Sequence, residues 1–240
     1  MEVLKAGAQK LGINFSSRQL EQYRIYYEEL IDWNKKVNLT SITGYEEVQI
    51  KHFLDSLTVT LAMKPQHGDK PLTVIDVGAG AGFPGLPLKI TFPDMKLTLL
   101  EATVKKTKFL QTVIELLELR DAEIVSGRAE EAGHSPQYRE RFDLVLSRAV
   151  AALPALAELT LPFCNIGGCV IAQKKGEIKA EVERARKAID VLGGALREVK
   201  PVDLEELNDE RYLVVIDKIR TSPDAYPRRA GMPVKRPIIS

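Results

Sequence analysis

The residues of this chain best suited to chemistry lie in one glycine-rich run, Val74-Ile75-Asp76-Val77-Gly78-Ala79-Gly80-Ala81-Gly82-Phe83-Pro84-Gly85. It begins with β-branched residues typical of a buried strand, predicted over 72–77, and its glycines allow a turn that a ligand can approach closely. A helix beginning at Phe83 or Pro84 is expected to direct its free N–H groups at that ligand. Asp76 lies inside the strand, where we expect it either to brace the loop or to receive the ammonium group of an amino-acid-like cofactor.

Two classes of cofactor fit these glycines. The spacing Gly80-x-Gly82-x-x-Gly85 satisfies the fingerprint of dinucleotide-binding proteins. The frame Asp76-x-Gly78-x-Gly80-x-Gly82 resembles the first motif of Rossmann-like methyltransferases, which bind S-adenosylmethionine (SAM). The next predicted strand ends at Glu101, whose carboxylate can accept hydrogen bonds from both ribose hydroxyls of either cofactor. These motifs therefore predict a nucleoside site and leave NAD and SAM open.

Three further loops follow predicted strands, at the edge of the sheet where open α/β folds bind ligands. Ala129 and Glu130 follow the third strand and are suited to contacting an adenine edge, although an early acid in a helix has the same pattern. Arg148 follows the fourth strand, where a methyl acceptor would lie. Because a buried cation is costly unless paired, we expect Arg148 to face a ligand, an RNA phosphate or a structural acid. Lys175 follows the fifth strand and suits either a phosphate contact or a solvated turn.

Length and composition limit the classes of protein that can carry these motifs. The chain has 240 residues, of which 45% are hydrophobic, enough for one large domain or a domain with an extension. No apolar run approaches the roughly 20 residues that a membrane-spanning helix needs, and the first residues do not form a secretory signal. Cys164 and Cys169 are expected to be reduced core thiols, and the three histidines are scattered. We therefore expect a cytoplasmic protein with no metal site and, by default, a monomer.

Basic residues are concentrated near the carboxyl terminus, although the net charge of the whole chain is only +1. Residues 219–240 contain five basic side chains against the single acid Asp224. A basic, proline-containing tail on a slightly acidic body is suited to holding a nucleic-acid phosphate backbone. The alternative is a solvated tail whose charge only keeps it soluble. The candidate RNA-binding residues are Lys175, Arg228, Arg229, Lys235 and Arg236.

The elements that would position these residues fall into three parts. They are a helical extension over 1–64, an α/β domain over 65–218 and the basic tail over 219–240. In the extension, helical periodicity predicts one helix after the cap residues Ser16 and Ser17 and a second helix over 46–62. A turn-rich linker over 65–71 then leads into the α/β domain.

Alternating strands and helices predict a mostly parallel sheet in that domain. The predicted strands span 72–77, 96–101, 121–125, 142–147, 168–173, 195–202 and 212–218, with helices near 84–91, 104–119, 154–163 and 177–192. The last two strands are separated by about nine residues, too few for a helical crossover, so they should form an antiparallel hairpin. Five parallel strands closed by such a hairpin distinguish the methyltransferase sheet from the dinucleotide-binding fold, whose sixth strand is parallel. The topology therefore favours SAM over NAD.

Motifs that are missing limit the reaction. Methylation of an exocyclic amino group typically uses an Asn/Asp-Pro-Pro-aromatic loop after the fourth strand, where this chain has Ser147-Arg148-Ala149. Methylation at pyrimidine C5 needs a cysteine nucleophile, and neither cysteine lies in a recognisable nucleophile motif. A ring nitrogen such as guanine N7 needs neither device, because its lone pair can attack a sulfonium methyl directly. Arg148 would then act in catalysis by orienting the O6/N7 edge of the acceptor base, and no general base is expected.

The chain resembles the bacterial small-subunit (16S) ribosomal RNA guanine-N7 methyltransferases, also called the glucose-inhibited division protein B family. The matching segments cover nearly the whole chain in order: Trp33-Asn34 to Asn38-Leu39-Thr40, His52-Phe53-Leu54-Asp55-Ser56, the loop from Asp76 to Pro87, Arg128-Ala129-Glu130, Arg148-Ala149-Val150, the strand from Arg211 to Lys218, and Tyr226 to Pro233 before Lys235-Arg236-Pro237. The sequence departs from the family at Glu101-Ala102, where an acid followed by serine is expected. The acid is kept, so ribose binding is little affected.

The resemblance implies a Rossmann-like class I SAM-dependent methyltransferase with a mostly parallel seven-stranded sheet, a carboxyl-terminal antiparallel hairpin and an amino-terminal helical extension. It implies transfer of a methyl group from SAM to N7 of a guanine in 16S ribosomal RNA, with the RNA or a ribosomal particle as partner. Together with the motifs above, it gives the expected cofactor contacts: Asp76, Gly78, Gly80, Phe83, Glu101, Ala129, Glu130 and Arg148. Two alternatives stay open, an NAD-dependent oxidoreductase and an RNA-binding module without catalysis.

Overall fold

A seven-stranded sheet forms the centre of the computed structural model, which describes residues 1–63 and 70–239. Its strands are β1 Thr73–Val77, β2 Lys96–Glu101, β3 Ala122–Ser126, β4 Phe142–Arg148, β5 Cys164–Lys175, β6 Gly194–Pro201 and β7 Arg211–Lys218. They lie side by side in the order β3-β2-β1-β4-β5-β7-β6. All seven predicted strands are confirmed, and the main difference is that β5 begins at Cys164 rather than at 168.

The directions of the strands divide the sheet into a parallel part and a hairpin. β1 pairs in parallel with β2 and β4, β2 with β3, and β4 with β5. β7 runs antiparallel to both β5 and β6, as the short connection predicts. Because the chain moves outward from β1 to β3 and then returns to β4 on the other side of β1, a crevice opens at the carboxyl ends of β1 and β4.

Helices form the amino-terminal extension and cover both faces of the sheet. The extension contains α1 Glu2–Lys10, α2 Ser17–Val37, α3 Tyr45–Val48, a π-helical segment Gln49–Leu54, α4 Asp55–Leu57 and a 3-10 turn Thr58–Leu61. The others are α5 Gly85–Thr91, α6 Val104–Leu116, α7 Ala129–Ala132, α8 Leu153–Thr160, a 3-10 turn Leu161–Phe163, α9 Lys179–Val191 and α10 Met232–Lys235. Within the described residues, no helix is both long enough and apolar enough to cross a membrane.

The two predicted helices of the extension begin close to their predicted starts, whereas α1 over Glu2–Lys10 was not predicted. Ser16 Oγ accepts a hydrogen bond from Gln19 N at 3.3 Å, and Ser16 N donates to the Gln19 side chain at 2.9 Å, which completes a capping box. The second predicted helix, over 46–62, is present from Tyr45 to Leu61, but as four consecutive segments, which are α-helical, π-helical, α-helical and 3-10 in turn. The linker predicted over 65–71 lies outside the described residues up to position 69.

Apolar side chains pack on both faces of the sheet. On one face the extension packs against α5 and α6, with Tyr23, Tyr26 and Phe53 completely buried. On the other face α8 and α9 cover the sheet through a second apolar cluster. The extension is therefore part of the core, and the aromatic residues that bury it also fix the polar side chains it presents at the crevice.

Candidate functional site

The glycine-rich turn between β1 and α5 lies at the carboxyl edge of the sheet. Gly78, Gly80 and Gly82 have φ angles of +74°, +61° and +90°, which other residues rarely adopt. The N–H groups of Gly78 and Ala79 both donate to Leu100 O, at 2.8 and 3.1 Å. The Gly82 N–H donates to Ala79 O at 2.7 Å. The turn is therefore held by backbone hydrogen bonds to the end of β2 and by bonds to Ala79 O within itself.

The amino terminus of α5 is occupied by the chain itself. Asp76 Oδ2 accepts a hydrogen bond from Gly85 N at 2.9 Å, and Leu86 N donates to Gly82 O at 2.8 Å. Pro84 and Pro87, at the start of this helix, have no N–H group to donate. The expectation that free N–H groups of this helix would face the ligand is therefore wrong, because a buried carboxylate and prolines take that place. Since dinucleotide phosphates bind at free helix amino termini, this geometry argues against NAD.

The second carboxylate oxygen of Asp76, Oδ1, is buried and has no hydrogen-bond partner among the described residues. Burial raises the pKa of the Asp76 carboxyl from 3.8 to about 7, and the hydrogen bond from Gly85 only partly opposes this rise. A buried acceptor without a donor is unfavourable, and a bound ammonium group would supply both a donor and the opposite charge. The site thus accommodates both roles predicted for Asp76, bracing the loop and receiving an ammonium group.

Glu101, at the end of β2, holds the same turn from the side. Its Oε2 accepts a hydrogen bond from Gly80 N at 2.9 Å, and its Oε1 accepts one from Thr103 N at 2.7 Å. The space beside Gly80 is open, because a Cβ built there would meet only Gly78 O, at 3.9 Å. Each carboxylate oxygen can accept more than one hydrogen bond, so Glu101 keeps capacity for ribose hydroxyls. The structure therefore places the acid and the glycines predicted for a nucleoside around one turn.

Phe83 connects the glycine turn to the extension through stacked side chains. The rings of His52 and Phe83 have centroids 4.6 Å apart and planes inclined by 20°. The guanidinium carbon of Arg148 lies 4.9 Å from the centroid of the Phe83 ring, within the range of a cation–π contact. Burial, together with the charge of Arg148, lowers the pKa of His52 to about 3. His52 is therefore neutral near pH 7 and supports Phe83 as an aromatic ring rather than as a proton carrier.

Asp55 holds two arginines that come from different strands. Its Oδ2 lies 2.8 Å from Arg148 Nη1, and its Oδ1 forms an ion pair with Arg211 Nη1. Asp55 is 3% exposed, and its backbone oxygen accepts a hydrogen bond from Gln173 Nε2 at 2.6 Å. Of the three partners expected for Arg148, the structure therefore shows the structural acid.

Sequence motifs do not assign Asp55 or Arg211 to the site, although both lie in segments that match the family. Asp55 is 93 residues from Arg148 in the chain, and neither side chain belongs to a chemical motif with the other. The one local signal is the spacing of His52 and Asp55, which places both on neighbouring turns of one helical segment. Their contact with Arg148 depends on how the extension packs on the sheet.

A cavity of about 210 Å³ opens beside Arg148, at the carboxyl ends of β4 and β5. Its lining includes Asp55, Arg148, Gln173, Lys174, Lys175, Arg211 and Tyr212. Lys175 Nζ also pairs with Asp209 at 3.1 Å, and both side chains are about half exposed. A larger cavity of about 1440 Å³ lies at the opposite edge of the sheet. Parallel sheets bind ligands at their carboxyl edge, which is where the smaller cavity lies.

Ala129 and Glu130 begin α7 directly after β3. Gly127 N donates to Glu101 O at 3.1 Å, which ties this loop to the end of β2. Glu130 Oε1 accepts a hydrogen bond from Gly231 N at 2.8 Å. The carboxyl-terminal residues therefore reach the side of the site that is predicted to bind adenine, a contact that no sequence motif indicates.

The basic carboxyl-terminal residues lie against the body of the protein. Arg228 forms a bidentate ion pair with Glu158, which is completely buried, with Nε–Oε1 at 2.9 Å and Nη2–Oε2 at 2.6 Å. Arg229, Lys235 and Arg236 are exposed. The interpretation of this segment as a merely solvated tail is therefore wrong, because Arg228 is used internally and only part of the segment is free to meet RNA.

Tyr26 supports the glycine turn from α2, since its hydroxyl donates to Ala81 O and its ring stacks on Phe83. Replacing Tyr26 by Phe removes one buried hydrogen bond and keeps the ring. We expect the free energy of unfolding to fall by about 1 kcal/mol, measured by urea denaturation. Tyr27→Phe is the control, because the Tyr27 hydroxyl bonds Thr43 O at the surface. Unchanged stability of the Tyr26 variant would show that this hydroxyl does not support the turn.

The strand order, the antiparallel β7 and the acid-flanked glycine turn define the architecture of class I methyltransferases. Solved structures that share it include a predicted O-methyltransferase from Agrobacterium tumefaciens, with a TM-score of 0.51 and 20% identity over 65% of this chain and 78% of that one. The fibrillarin pre-rRNA processing protein of Methanococcus jannaschii has a TM-score of 0.51 and 16% identity over 68% of this chain and 74% of that one. At such identities the similarity supports the fold alone, and the predicted fold class is confirmed.

The chain belongs to the GidB family, described as rRNA small subunit methyltransferase G, whose model matches residues 19–211. A relative from Dehalococcoides mccartyi, named ribosomal RNA small subunit methyltransferase G, is 53% identical over 239 residues and 100% of both chains. A relative of the same name from Acetivibrio thermocellus is 45% identical over 237 residues, 99% of this chain and 96% of its own. The family predicted from the sequence is therefore confirmed, and so is the enzyme class, an rRNA methyltransferase.

Proposed function

We propose that this protein transfers a methyl group from SAM to N7 of a guanine in small-subunit ribosomal RNA. The observation that carries the cofactor assignment is the unpartnered Oδ1 of Asp76, buried beneath a glycine turn that is already hydrogen-bonded. The ammonium group of an amino-acid cofactor would supply the missing donor, whereas a dinucleotide would need free N–H groups for its phosphates. The choice of ribosomal RNA as substrate is supported by the family to which the chain belongs.

The three parts of the cofactor are assigned to different residues around the turn. The amino-acid part is assigned to Asp76 and Gly78, the ribose to Gly80 and Glu101, and the adenine to Ala129 and Glu130. Phe83 and Arg148 close the site between the turn and the smaller cavity, here named the acceptor cavity because it is assigned to the acceptor base. When bound, SAM supplies a methyl group on a positively charged sulfur, which an acceptor nitrogen can attack directly.

Arg148 is assigned to orienting the acceptor base. Asp55 and the ring of Phe83 hold its guanidinium on two sides, so that its direction is set before the base arrives. Guanine presents O6 and N7 on one edge, and an arginine donor to O6 would leave the N7 lone pair free to attack. Because that lone pair carries no proton, the reaction needs no general base, which agrees with the low pKa of His52, since an imidazole with a pKa of about 3 is too weak a base to take a proton near pH 7.

The RNA backbone is assigned to exposed cations on either side of the site. Arg229, Lys235 and Arg236 lie in the carboxyl-terminal segment, and Lys175 lies at the rim of the acceptor cavity. Contacts of this kind give affinity and orientation without reading the base sequence.

We expect the protein to act as a monomer in the cytoplasm, where small ribosomal subunits are assembled.

The alternative function is an RNA-binding module without catalysis, and the experiment must distinguish it from a methyltransferase. The buried, unpaired oxygen of Asp76 favours the enzyme, because a protein that only binds RNA would gain nothing from its cost.

The test is to incubate the purified protein with methyl-labelled SAM and small-subunit particles that lack base modifications. We expect label at a single guanine, located by the strand cleavage that is specific for N7-methylguanine. Label on another atom would contradict the N7 assignment. RNA binding without any label on the RNA would contradict methyl transfer and favour the binding module.

A further inference from the structure

Residues 222–236, which follow β7, form a strap across α7 and α8, here named the carboxyl-terminal strap. Ser222 fixes its start, because this residue is buried and its N–H donates to Glu140 Oε1 at 2.7 Å. Arg139 donates to Ser222 O at 2.7 Å and to Tyr226 O at 2.8 Å. The strap is therefore held through its own backbone by side chains of the body.

Arg228 is the main anchor in the middle of the strap. Its guanidinium donates to both carboxylate oxygens of Glu158. Its backbone N–H also donates to Glu158 Oε1, at 2.7 Å. Glu158 lies on α8 and is completely buried. Since removing one partner of a buried ion pair leaves an uncompensated charge, Arg228 and Glu158 hold the strap to α8 firmly.

The strap also contacts α7, the short helix that carries Glu130. This helix has only four residues, and none of them is completely buried. At its end, a Cβ added to Gly133 would lie 2.7 Å from Pro227 Cγ, so the strap packs directly on the helix. On the other side, Gly231 N donates to Glu130 Oε1. The strap therefore contacts α7 in two places, at Gly133 directly after the helix and at the carboxylate of Glu130.

We propose that the carboxyl-terminal strap is a positioning element of the cofactor site, which holds α7 and directs the Glu130 carboxylate toward adenine. Arg228 is a positioning residue in this arrangement, because it acts on Glu130 only through the strap. The inference rests on the proposed function, since Glu130 is assigned there to the cofactor. It assigns to this segment a role in binding the cofactor in addition to any contact with RNA.

Two neighbouring arginines provide a matched test. Arg228→Ala and Arg229→Ala each remove one positive charge from the strap, but only Arg228 is anchored to Glu158. We expect Arg228→Ala to weaken SAM binding in the absence of RNA by about tenfold, within the range of coupling between contacting groups. Arg229→Ala, whose side chain is assigned only to RNA, should leave SAM binding under the same conditions unchanged. Calorimetry would measure the affinity, and hydrogen exchange over the strap would report whether it has been released.

A double-mutant cycle shows whether the effect passes through Glu130. In a Glu130→Ala background, Arg228→Ala should cause a smaller loss of SAM affinity than in the unaltered protein, because only the contact through Ala129 remains to be displaced. Gly133→Ala changes no charge and provides a second comparison if the Arg228 variant does not fold. Its Cβ would lie 2.7 Å from Pro227 Cγ and 3.0 Å from Ala129 O, so hydrogen exchange is followed over both the strap and α7.

Two outcomes would overturn the inference alone. The first is that hydrogen exchange shows the strap released in the Arg228 or Gly133 variant while SAM binds as tightly as to the unaltered protein. The second is that Arg228→Ala lowers SAM affinity equally in proteins with and without Glu130. Failure of the unaltered protein to bind SAM would instead overturn the proposed function, and this inference with it.

Discussion

Replacing Arg148 by alanine is expected to slow methyl transfer by about 100-fold while the protein stays folded. The guanidinium lies against the Phe83 ring and on Asp55, and it lines the acceptor cavity, so its loss removes the group assigned to orienting the base. Asp55 keeps its ion pair with Arg211 and is not left as an isolated buried charge. Single-turnover rates with saturating SAM would measure the effect on transfer, and thermal unfolding would measure the effect on stability.

Arg197→Ala is the matched control for this experiment. Arg197 also pairs with an aspartate, Asp217, but it does so in the hairpin of β6 and β7, away from the cavity. We expect the control to transfer methyl groups at the rate of the unaltered protein. Transfer by the Arg148 variant at that same rate would remove this residue from the site.

Replacing Asp76 by asparagine should weaken SAM binding by about 30-fold, the equivalent of losing roughly 2 kcal/mol from one charge-assisted hydrogen bond. Asparagine keeps an oxygen that can accept the hydrogen bond from Gly85, so the helix start should be retained. Asp143→Asn is the control, because Asp143 caps the other end of the sheet through Thr73. Calorimetry on the three proteins would separate the two roles of Asp76, and unchanged affinity would leave it only as a brace.

The pKa of Asp76 makes the same experiment dependent on pH. Burial raises this pKa from 3.8 to about 7, so between those values the folded protein keeps a proton that the unfolded chain has lost. The contribution of Asp76 to stability therefore falls as the pH rises from about 4 to about 7, and Asp76→Asn should remove that slope. SAM affinity should change in the opposite direction, rising through about pH 7 as the carboxylate ionises, in the unaltered protein but not in the variant.

Much of the fold could be predicted because its signals are local. Runs of β-branched residues marked the strands, and the nine-residue connection before β7 marked the antiparallel hairpin that favoured SAM over NAD. The glycine turn and Glu101 could also be placed together, because the ends of neighbouring parallel strands meet at one edge. These features depend on residues close in sequence or on a general rule of sheet topology.

The contacts that could not be predicted join residues far apart in the chain. Asp55 reaches Arg148 only because aromatic side chains bury the extension on the sheet, and Glu158 attracts Arg228 only because α8 is completely covered. α5 begins at Gly85, close to its predicted start at Phe83 or Pro84, but the group that occupies its amino terminus could not be predicted, for a related reason. A helix amino terminus was expected to be free for a ligand, but the strand before it supplies its own carboxylate, Asp76.

The hydrogen bond between Gly231 and Glu130 spans 101 residues and has a consequence for the order in which the protein is made. Translation produces the extension and the glycine turn first, whereas Gly231, the partner of Glu130, is added 101 residues after Glu130 itself. A nascent or prematurely terminated chain that stops before Arg228 would contain every strand of the sheet but would lack the donor to Glu130 and the partner of buried Glu158. We therefore expect chains that stop before Arg228 to bind SAM poorly, so that synthesis of all seven strands is not sufficient for a competent cofactor site.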